Sequence, residues 1–416
     1  MQRIYLLLTL GNTLAASFIW GINTLFLLDA GLSNLEAFAA NAFFTAGMVL
    51  FEIPTGVIAD TRGRRVSYLL GTITLAASTL LYYFMWQMSA PFWSWAGVSI
   101  LIGLGFTFFS GAVEAWLVDA LHFSGYDGPL EAVFGRGQMV GGMAMLGGSV
   151  AGGVIAQATS LGVPFLVRVG VLLVMFVVAF VVMKDLGFTP ERSRQPLRDM
   201  KRVLSASIDH GLRNPPVRWV MLAAPFSSGV GIYAFYALQP YLLELYGDKV
   251  AYSVAGLAAA IAAAAQILGG YLAPRIRGLF ARRTSALVAG MATSVLLLVG
   301  LGLTRSFALA LVFVVLWGLV FAAVMPIRQA YLNGMIPSEH RATVLSFDSL
   351  MGNSGGVVIQ PGLGKAADVW SYGTSYAVGA GIQALAVPFL LLSRREHAPA
   401  DTVTAPATST EVPHAA

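Results

Sequence analysis

Twelve long apolar segments follow one another along the chain, and they constrain its fold more than any other feature. Each has about the 20 residues that a helix needs to cross the hydrocarbon core of a bilayer. Backbone polar groups in lipid must be paired within the segment, so segments of this kind are expected to be helices. The sequence therefore predicts an all-α membrane protein with 12 transmembrane helices, which we place at 4–28, 35–59, 66–88, 94–121, 135–158, 164–184, 218–245, 251–273, 284–304, 307–333, 343–366 and 373–393.

The composition supports a membrane protein and argues against enzymes. The chain is 57% hydrophobic and 11% charged, whereas about a quarter of the residues of a soluble protein are charged. It contains no Cys, which excludes disulfides, thiol catalysis and Cys-based metal sites. The five His lie in polar connections or in the tail, at 122, 210, 340, 397 and 414. We therefore expect no cofactor, no metal and no enzymatic activity.

The distribution of positive charge predicts the orientation of the chain. Of 25 Lys and Arg, only Arg168, Lys249, Arg305 and Lys365 are placed at one face, and Arg328 lies within a helix. The others fall at the opposite face, which the positive-inside rule assigns to the cytoplasm. We expect a multi-pass protein of the cell (plasma) membrane with both termini cytoplasmic. Its basic charge is then expected to meet anionic lipid and not nucleic acid.

A long basic connection divides the chain into two halves. We predict an N-terminal bundle (1–189), a cytoplasmic linker (190–217), a C-terminal bundle (218–395) and a disordered cytoplasmic tail (396–416). Pro196 is expected to start a short amphipathic helix in the linker. The halves repeat each other weakly: Gly152-Gly153 matches Gly355-Gly356, and the pair Glu114 and Asp119 matches Arg328 and Asn333. Such internal repeats are common in polytopic membrane proteins.

A short polar loop, Gly56-Val-Ile-Ala-Asp60-Thr-Arg62-Gly63-Arg64-Arg65, interrupts the apolar sequence between segments 2 and 3. Its spacing resembles the signature loop between helices 2 and 3 of the major facilitator superfamily (MFS) of secondary transporters. The resemblance covers about residues 1–395 and implies two pseudo-symmetric six-helix bundles that rock about a central site. In segment 5, Gly135, Ala144, Gly148, Ser149, Gly152 and Gly153 resemble the glycine pattern of the proton-coupled drug efflux branch. Ser99 stands where that branch usually has an Arg, which argues against a drug-type proton mechanism.

The resemblance also implies roles for charged residues near the cytoplasmic ends. It suggests that Asp60 accepts hydrogen bonds from the start of helix 11, near 342–343, and that Arg64 pairs with Asp119. We further expect Glu114 to pair with Arg328 when the cytoplasmic side is shut; alternatively, Arg328 reaches the inner headgroups. The predicted conformational gate consists of Gly56, Asp60, Gly63, Arg64, Arg65, Asp119, Glu114 and Arg328.

Carboxylates and aromatic residues complete the predicted site. Because no His lies in a span, Glu52, Glu114 and Asp348 are the candidates for proton coupling. The helices that line the cavity in this family offer aromatic and amide side chains, which suit an amphipathic organic molecule. These substrate-binding candidates are Trp20, Asn23, Phe106, Phe109, Tyr233, Tyr236, Gln239, Trp317 and Phe321. No Arg lies deep in helices 1 or 7, which disfavours phosphate esters and other polyanions.

The favoured function is secondary active transmembrane transport, specifically efflux of small amphipathic organic molecules by a proton-coupled antiporter. The expected partners are the lipid bilayer, a small-molecule substrate and protons, and the expected functional unit is a monomer. An importer or facilitator on the same fold is the alternative. A non-transporting membrane sensor or a membrane enzyme is disfavoured, because the chain offers no soluble domain and no cluster of catalytic groups.

Overall fold

The computed structural model describes residues 1–128, 130–188, 208–336 and 341–402. Twelve helical segments, called spans here, account for nearly all of these residues. They are span 1 (Gln2–Trp20 and Asn23–Asp29), span 2 (Asn34–Arg62), span 3 (Arg64–Gln87), span 4 (Phe92–Thr107 and Ala112–Phe123), span 5 (Leu130–Ala158), span 6 (Val163–Val182), span 7 (Pro215–Tyr246), span 8 (Tyr252–Gly278), span 9 (Arg283–Leu303), span 10 (Phe307–Asn333), span 11 (Arg341–Val369) and span 12 (Tyr372–Ala384 and Ala386–Arg395). Apart from span 11, which is rich in Gly and Ser, all are long and apolar enough to cross a membrane.

Two predicted regions lie partly outside the described residues. These are the linker (190–217), which is described only from residue 208, and the tail (396–416), which is described only to residue 402. The helix expected from Pro196 falls in the part of the linker that is not described. The described end of the linker contains a π-helical turn, Ile208–Leu212. The described start of the tail packs on the second half of the chain. There Asp401 is buried and accepts hydrogen bonds of 2.8 Å from the backbone N–H and the hydroxyl of Thr284. The Thr284 N–H lies in the first turn of span 9, where backbone donors have no partner within the helix. Its bond to Asp401 fixes the start of the tail, so the ordered chain extends past residue 395.

Spans 1–6 and spans 7–12 form two bundles that pack in the same way. Span 1 packs on span 5, span 2 on span 4 and span 3 on span 6, and the second half repeats these pairs as 7 on 11, 8 on 10 and 9 on 12. Matching glycines permit one of these contacts in each half. A Cβ at Gly152 would lie 1.9 Å from the Phe18 carbonyl oxygen, and a Cβ at Gly355 would lie 2.0 Å from that of Pro225. Only glycine allows such close approach of two helix backbones.

The two bundles are joined on one side of the molecule. We call the side that carries Met1 and Arg395 the terminal side, and the opposite side the distal side. Span 2 packs on span 11 across the halves, and span 5 packs on span 8. In the described part of the chain, the hydrogen bonds between the halves all lie between the middle of the spans and the distal side. The structure is therefore closed on the distal side.

Three spans that the sequence predicts as continuous are broken, and one of them, span 12, is interrupted only at Leu385. Span 1 is interrupted between Trp20 and Asn23, and span 4 is interrupted between Thr107 and Ala112. In the second break Gly111 adopts a left-handed conformation with φ +68°, which glycine reaches without a steric penalty. The break in span 1 frees backbone groups on both sides of it. The Trp20 carbonyl and the Thr24 N–H are both bonded by a side chain of the other half.

Candidate functional site

A small cavity lies at the level of the break in span 1. Its free volume is about 50 Å³, the room of a few water molecules. Spans 1 to 4 and 6 form most of its wall, and Tyr236 from span 7 closes it from the second half. The lining residues are Ile19, Trp20, Asn23, Asn41, Phe44, Thr79, Tyr82, Ile102, Phe106, Phe165, Arg168 and Tyr236. Four predicted substrate-binding residues are among them: Trp20, Asn23, Phe106 and Tyr236.

Arg168 is a cavity residue that the sequence analysis placed wrongly, at the distal face. It lies only five residues after Val163, about 7.5 Å along the helix axis, but its side chain points into the bundle and the residue is 2% exposed. Its guanidinium carbon lies 5.6 Å from the centroid of the Phe106 ring. Position along a span predicts depth but not the direction of the side chain. The signal that could have found Arg168 was the charge itself, since an ionisable residue inside a span is a functional candidate by default.

The other predicted substrate-binding residues lie outside this cavity. Phe109 packs against Tyr68, and Tyr233 is buried between Phe38 and the hydroxyl of Ser375. Trp317 is buried within the second half. Its neighbour Phe321 lines a separate cavity of about 70 Å³ among spans 7, 9, 10 and 12. The structure thus places these aromatic side chains in packing roles or in the second cavity.

The remaining predicted residue, Gln239, joins the two halves on the distal side of the cavity. Its side-chain oxygen accepts a hydrogen bond of 2.9 Å from the Thr24 N–H, and its side-chain nitrogen donates to the Trp20 carbonyl at 2.6 Å. One amide thereby satisfies a carbonyl and an N–H on the two sides of the break in span 1. Gln239 is 3% exposed, so this bridge is shielded from water.

A carboxylate forms a second link nearer the distal surface. Asp368, at the end of span 11, accepts hydrogen bonds from the N–H groups of Asn34 (3.0 Å) and Leu35 (2.8 Å) at the start of span 2. The Tyr372 hydroxyl also donates to the Asn34 side chain. The N-terminus of a helix has unpaired donors and a positive partial charge. Asp368 caps span 2 from the other half of the molecule, and sequence patterns within one segment give no signal of such a contact.

The signature loop lies on the terminal side and makes its contacts within the first half. Asp60 forms an ion pair with Arg64, and in the described residues no hydrogen bond joins either of them to span 11 or to the Asp119 side chain. Gly63 connects spans 2 and 3 with φ +104°, and a Cβ there would lie 2.3 Å from Asp185 Oδ2. A glycine is required here for both reasons, whereas Gly56 has open space around it.

Asp185, which follows span 6, anchors this loop and was not predicted as a site residue. Its Oδ1 accepts a hydrogen bond of 2.9 Å from the Arg65 N–H. The Arg65 guanidinium donates to the Phe180 carbonyl and lies 5.0 Å from the centroid of the Phe180 ring. Burial raises the pKa of the Asp185 carboxyl, while the Arg65 N–H and the charges of Arg65 and Arg64 oppose that shift. The loop is thus fixed to the end of span 6.

Arg328 pairs with Asp348 and not with Glu114 in this structure. Its two terminal nitrogens each donate to one carboxylate oxygen of Asp348 at 2.6 Å, and one of them also donates to the Val220 carbonyl at 3.3 Å. Spans 7, 10 and 11 are joined by this one guanidinium. Both side chains are largely shielded, at 17% and 9% exposed.

The other predicted carboxylates differ in their surroundings. Glu52 accepts a hydrogen bond of 2.6 Å from the Ser110 hydroxyl in the break of span 4. Glu114 is exposed, and Asp119 is partly exposed; neither forms an ion pair within the described residues. Of the three proton-coupling candidates, Asp348 alone is both buried and held by a counter-charge.

A family model described as Major Facilitator Superfamily matches residues 5–359 and 278–414. The chain belongs to this superfamily. It is a secondary transporter and not an enzyme, as the sequence analysis predicted. A search of curated proteins finds no match.

Solved transporters share the fold of this chain. The nucleoside transporter NupG matches with a TM-score of 0.78 at 9% identity, over 95% of this chain and 99% of that one. The POT family transporter PepTSo matches with a TM-score of 0.74 at 13% identity, over 95% and 98%. An inward-facing, unoccupied bacterial homologue of the human lysosomal transporter Spinster matches with 0.68 at 17% identity, over 94% and 96%. At these identities the likeness concerns the fold.

Proposed function

We propose that this transporter is a proton-coupled exporter of small amphipathic organic molecules that works by alternating access. The cavity below the distal closure carries this proposal. Aromatic side chains such as Trp20, Phe106 and Tyr236 line it together with the amide of Asn23. A mostly apolar pocket with few polar groups suits a molecule that has an apolar body and a polar end.

In this proposal the structure is the state closed to the distal side. Opening that side requires the loss of the Gln239 bridge and of the Asp368 contact, both of which join the halves. The terminal side then closes by contacts that are not present among the described residues. For these we propose the predicted ones: Asp60 with the start of span 11, Arg64 with Asp119, and Glu114 with Arg328.

We assign the proton to a carboxylate nearer the terminal side than the distal side. Asp348 is the first candidate, and Glu52 and Glu114 are the others. Protonation of Asp348 would remove the counter-charge of Arg328. Arg328 would then be free to turn toward Glu114 when the terminal side shuts. Protonation of Asp348 would thereby be coupled to closure of the terminal side.

We further propose that the protein acts as a monomer in the plasma membrane with both termini in the cytoplasm, so that the terminal side is the inner side. The basic residues that border the terminal side, among them Arg62, Arg136 and Arg218, support this orientation. The expected transport direction is then from the terminal to the distal side.

The test uses everted membrane vesicles from cells that produce the protein, with an acidified lumen and a pH-sensitive dye. A panel of aromatic and aliphatic organic compounds is added, and vesicles from cells without the protein serve as the control. An exporter is expected to raise the lumenal pH in a compound-dependent and protein-dependent way. Accumulation of the same compound in right-side-out vesicles, together with protons, would instead show an importer.

A further inference from the structure

We infer that the cavity binds the carboxylate of a small organic acid and that Arg168 is the residue that recognises it. This inference deepens the proposed function and rests on it for the statement that the bound acid is a transported substrate. Three buried polar side chains converge on the cavity, and each has a donor group without a hydrogen-bond partner among the described residues.

The first of these is Arg168 itself. Its Nε has no hydrogen-bond partner, and it forms no ion pair within the described residues. The charged group faces Phe106, which offers only the face of a ring. A buried cation without a counter-charge costs several kcal/mol, so a protein that retains one has a use for it.

Two neutral side chains of the same cavity each carry a donor that has no partner in the described part of the chain. The Oδ1 of Asn41 accepts a hydrogen bond from Asn23 Nδ2 at 3.1 Å, but the Asn41 Nδ2 has no acceptor among the described residues. The Thr79 hydroxyl likewise has no partner within the residues that the structure describes. Asn41 is 5% exposed and Thr79 is 1% exposed. Arg168 and Asn41 offer N–H donors and Thr79 offers an O–H, and no acidic residue lines the cavity.

Unpaired donors are satisfied by a ligand that accepts hydrogen bonds, and the positive charge of Arg168 favours an anion. A carboxylate accepts two or more hydrogen bonds and matches a guanidinium in geometry. One Arg neutralises one charge, which favours a monoanion over a polyanion. The surrounding rings of Trp20 and Phe44 then suit the apolar part of the acid. The free volume of about 50 Å³ admits only the carboxylate end of such an acid, so binding of its apolar part requires the lining rings to move apart.

The test measures binding of benzoate to the purified full-length transporter in detergent or lipid nanodiscs. The chain has eight Trp and Trp20 lines the cavity, so the part of the fluorescence change that Trp20→Phe removes reports occupancy. Benzamide, which has the same shape without the charge, is the matched ligand control. Benzoate and the shorter acid propionate are expected to bind and to raise the melting temperature, whereas benzamide is expected to do neither. Equal binding of benzoate and benzamide would overturn the assignment. Displacement of benzoate by chloride as readily as by propionate would overturn it too.

Variants then locate the site. Arg168→Gln is expected to weaken benzoate binding by about tenfold or more, the effect of one lost charged hydrogen bond. Arg305→Gln makes the same change at an exposed position near the distal end and should bind as wild type does. If Arg168→Gln does not fold, Thr79→Val removes one donor with little change in shape and should weaken binding severalfold. Normal binding by both cavity variants would place the anion elsewhere.

The inference and the proposed function fail in different ways. If the vesicles export neutral or cationic compounds while the purified protein binds no carboxylate, the function stands and the inference fails. If benzoate binds through Arg168 but no panel compound moves, the site stands and the assignment of transport fails.

Discussion

At the scale of single residues, the second half contains a buried ion pair, Arg328 and Asp348, in which each charge depends on the other. Each would be costly alone in the interior of a span. Their two parallel hydrogen bonds fix both side chains and leave the guanidinium in contact with Val220. The pair holds three spans together near the terminal side, which is the side that closes in the proposed transport cycle.

Asp348→Asn is therefore expected to lower the stability of the protein, by about 3 kcal/mol if the site behaves as a buried pair, because it leaves the Arg328 charge uncompensated. The measurement is thermal unfolding of the purified protein. Glu244→Gln, at an exposed carboxylate of the distal side, is the matched control. Equal melting temperatures for the two variants would show that the ion pair contributes nothing to stability.

At the scale of elements, the sequence predicts the spans well because apolar length is a local property. It does not predict the breaks in spans 1 and 4, since these depend on partners from other spans, such as Gln239 at the Trp20 carbonyl. The position of Arg168 was missed for the same reason: the bundle, and not the span itself, decides which face is inside. The aromatic residues of spans 1, 4 and 7 were predicted only in part, because packing and lining positions look alike in sequence.

The contact between spans 1 and 5 gives a sharp test of close packing. Gly152→Ala would place a methyl group 1.9 Å from the Phe18 carbonyl oxygen, so the helices must separate. Overpacking of this kind typically costs about 1–3 kcal/mol, and we expect a lower melting temperature with reduced transport. Gly147→Ala, on the same helix but in open space, is expected to behave as wild type. Similar behaviour of both variants would show that the contact is not tight in solution.

At the scale of the whole molecule, closure of the distal side depends on a few contacts between the halves. Asp368→Asn removes the charge that faces the start of span 2. A helix N-terminus stabilises a carboxylate by about 0.3–1 kcal/mol, and more where it is shielded. We expect labelling of a single Cys at Asn23 by an impermeant maleimide from the distal side to rise about fivefold. Since the natural chain has no Cys, the label reports this position alone, and Glu244→Gln should leave it unchanged.

The signature loop is expected to act in the opposite sense. If Asp60 stabilises closure of the terminal side, Asp60→Asn should raise labelling of the same Cys from the terminal side and lower transport. Asp127→Asn, an exposed carboxylate near that side, provides the comparison. Unchanged labelling and transport in Asp60→Asn would exclude a gating role for the loop.

A charge exchange tests the proposed contact between Glu114 and Arg328. Glu114→Arg and Arg328→Glu should each impair transport, and the double variant should recover part of it. Recovery is expected to be incomplete, because Arg328→Glu also places a second carboxylate beside Asp348. A double variant no better than the worse single variant would mean that the two residues do not meet in the cycle.

The contact of Asp368 with span 2 is chemically one-sided. On one half it depends on a particular side chain, but on the other it uses the backbone amides of residues 34 and 35, which nearly any sequence supplies. Substitutions at those two positions can alter the neighbouring Tyr372 bond without removing either amide. Only proline, which lacks an N–H, would remove one of the two donors. Sequence changes during evolution therefore alter the strength of this contact almost solely by replacing Asp368.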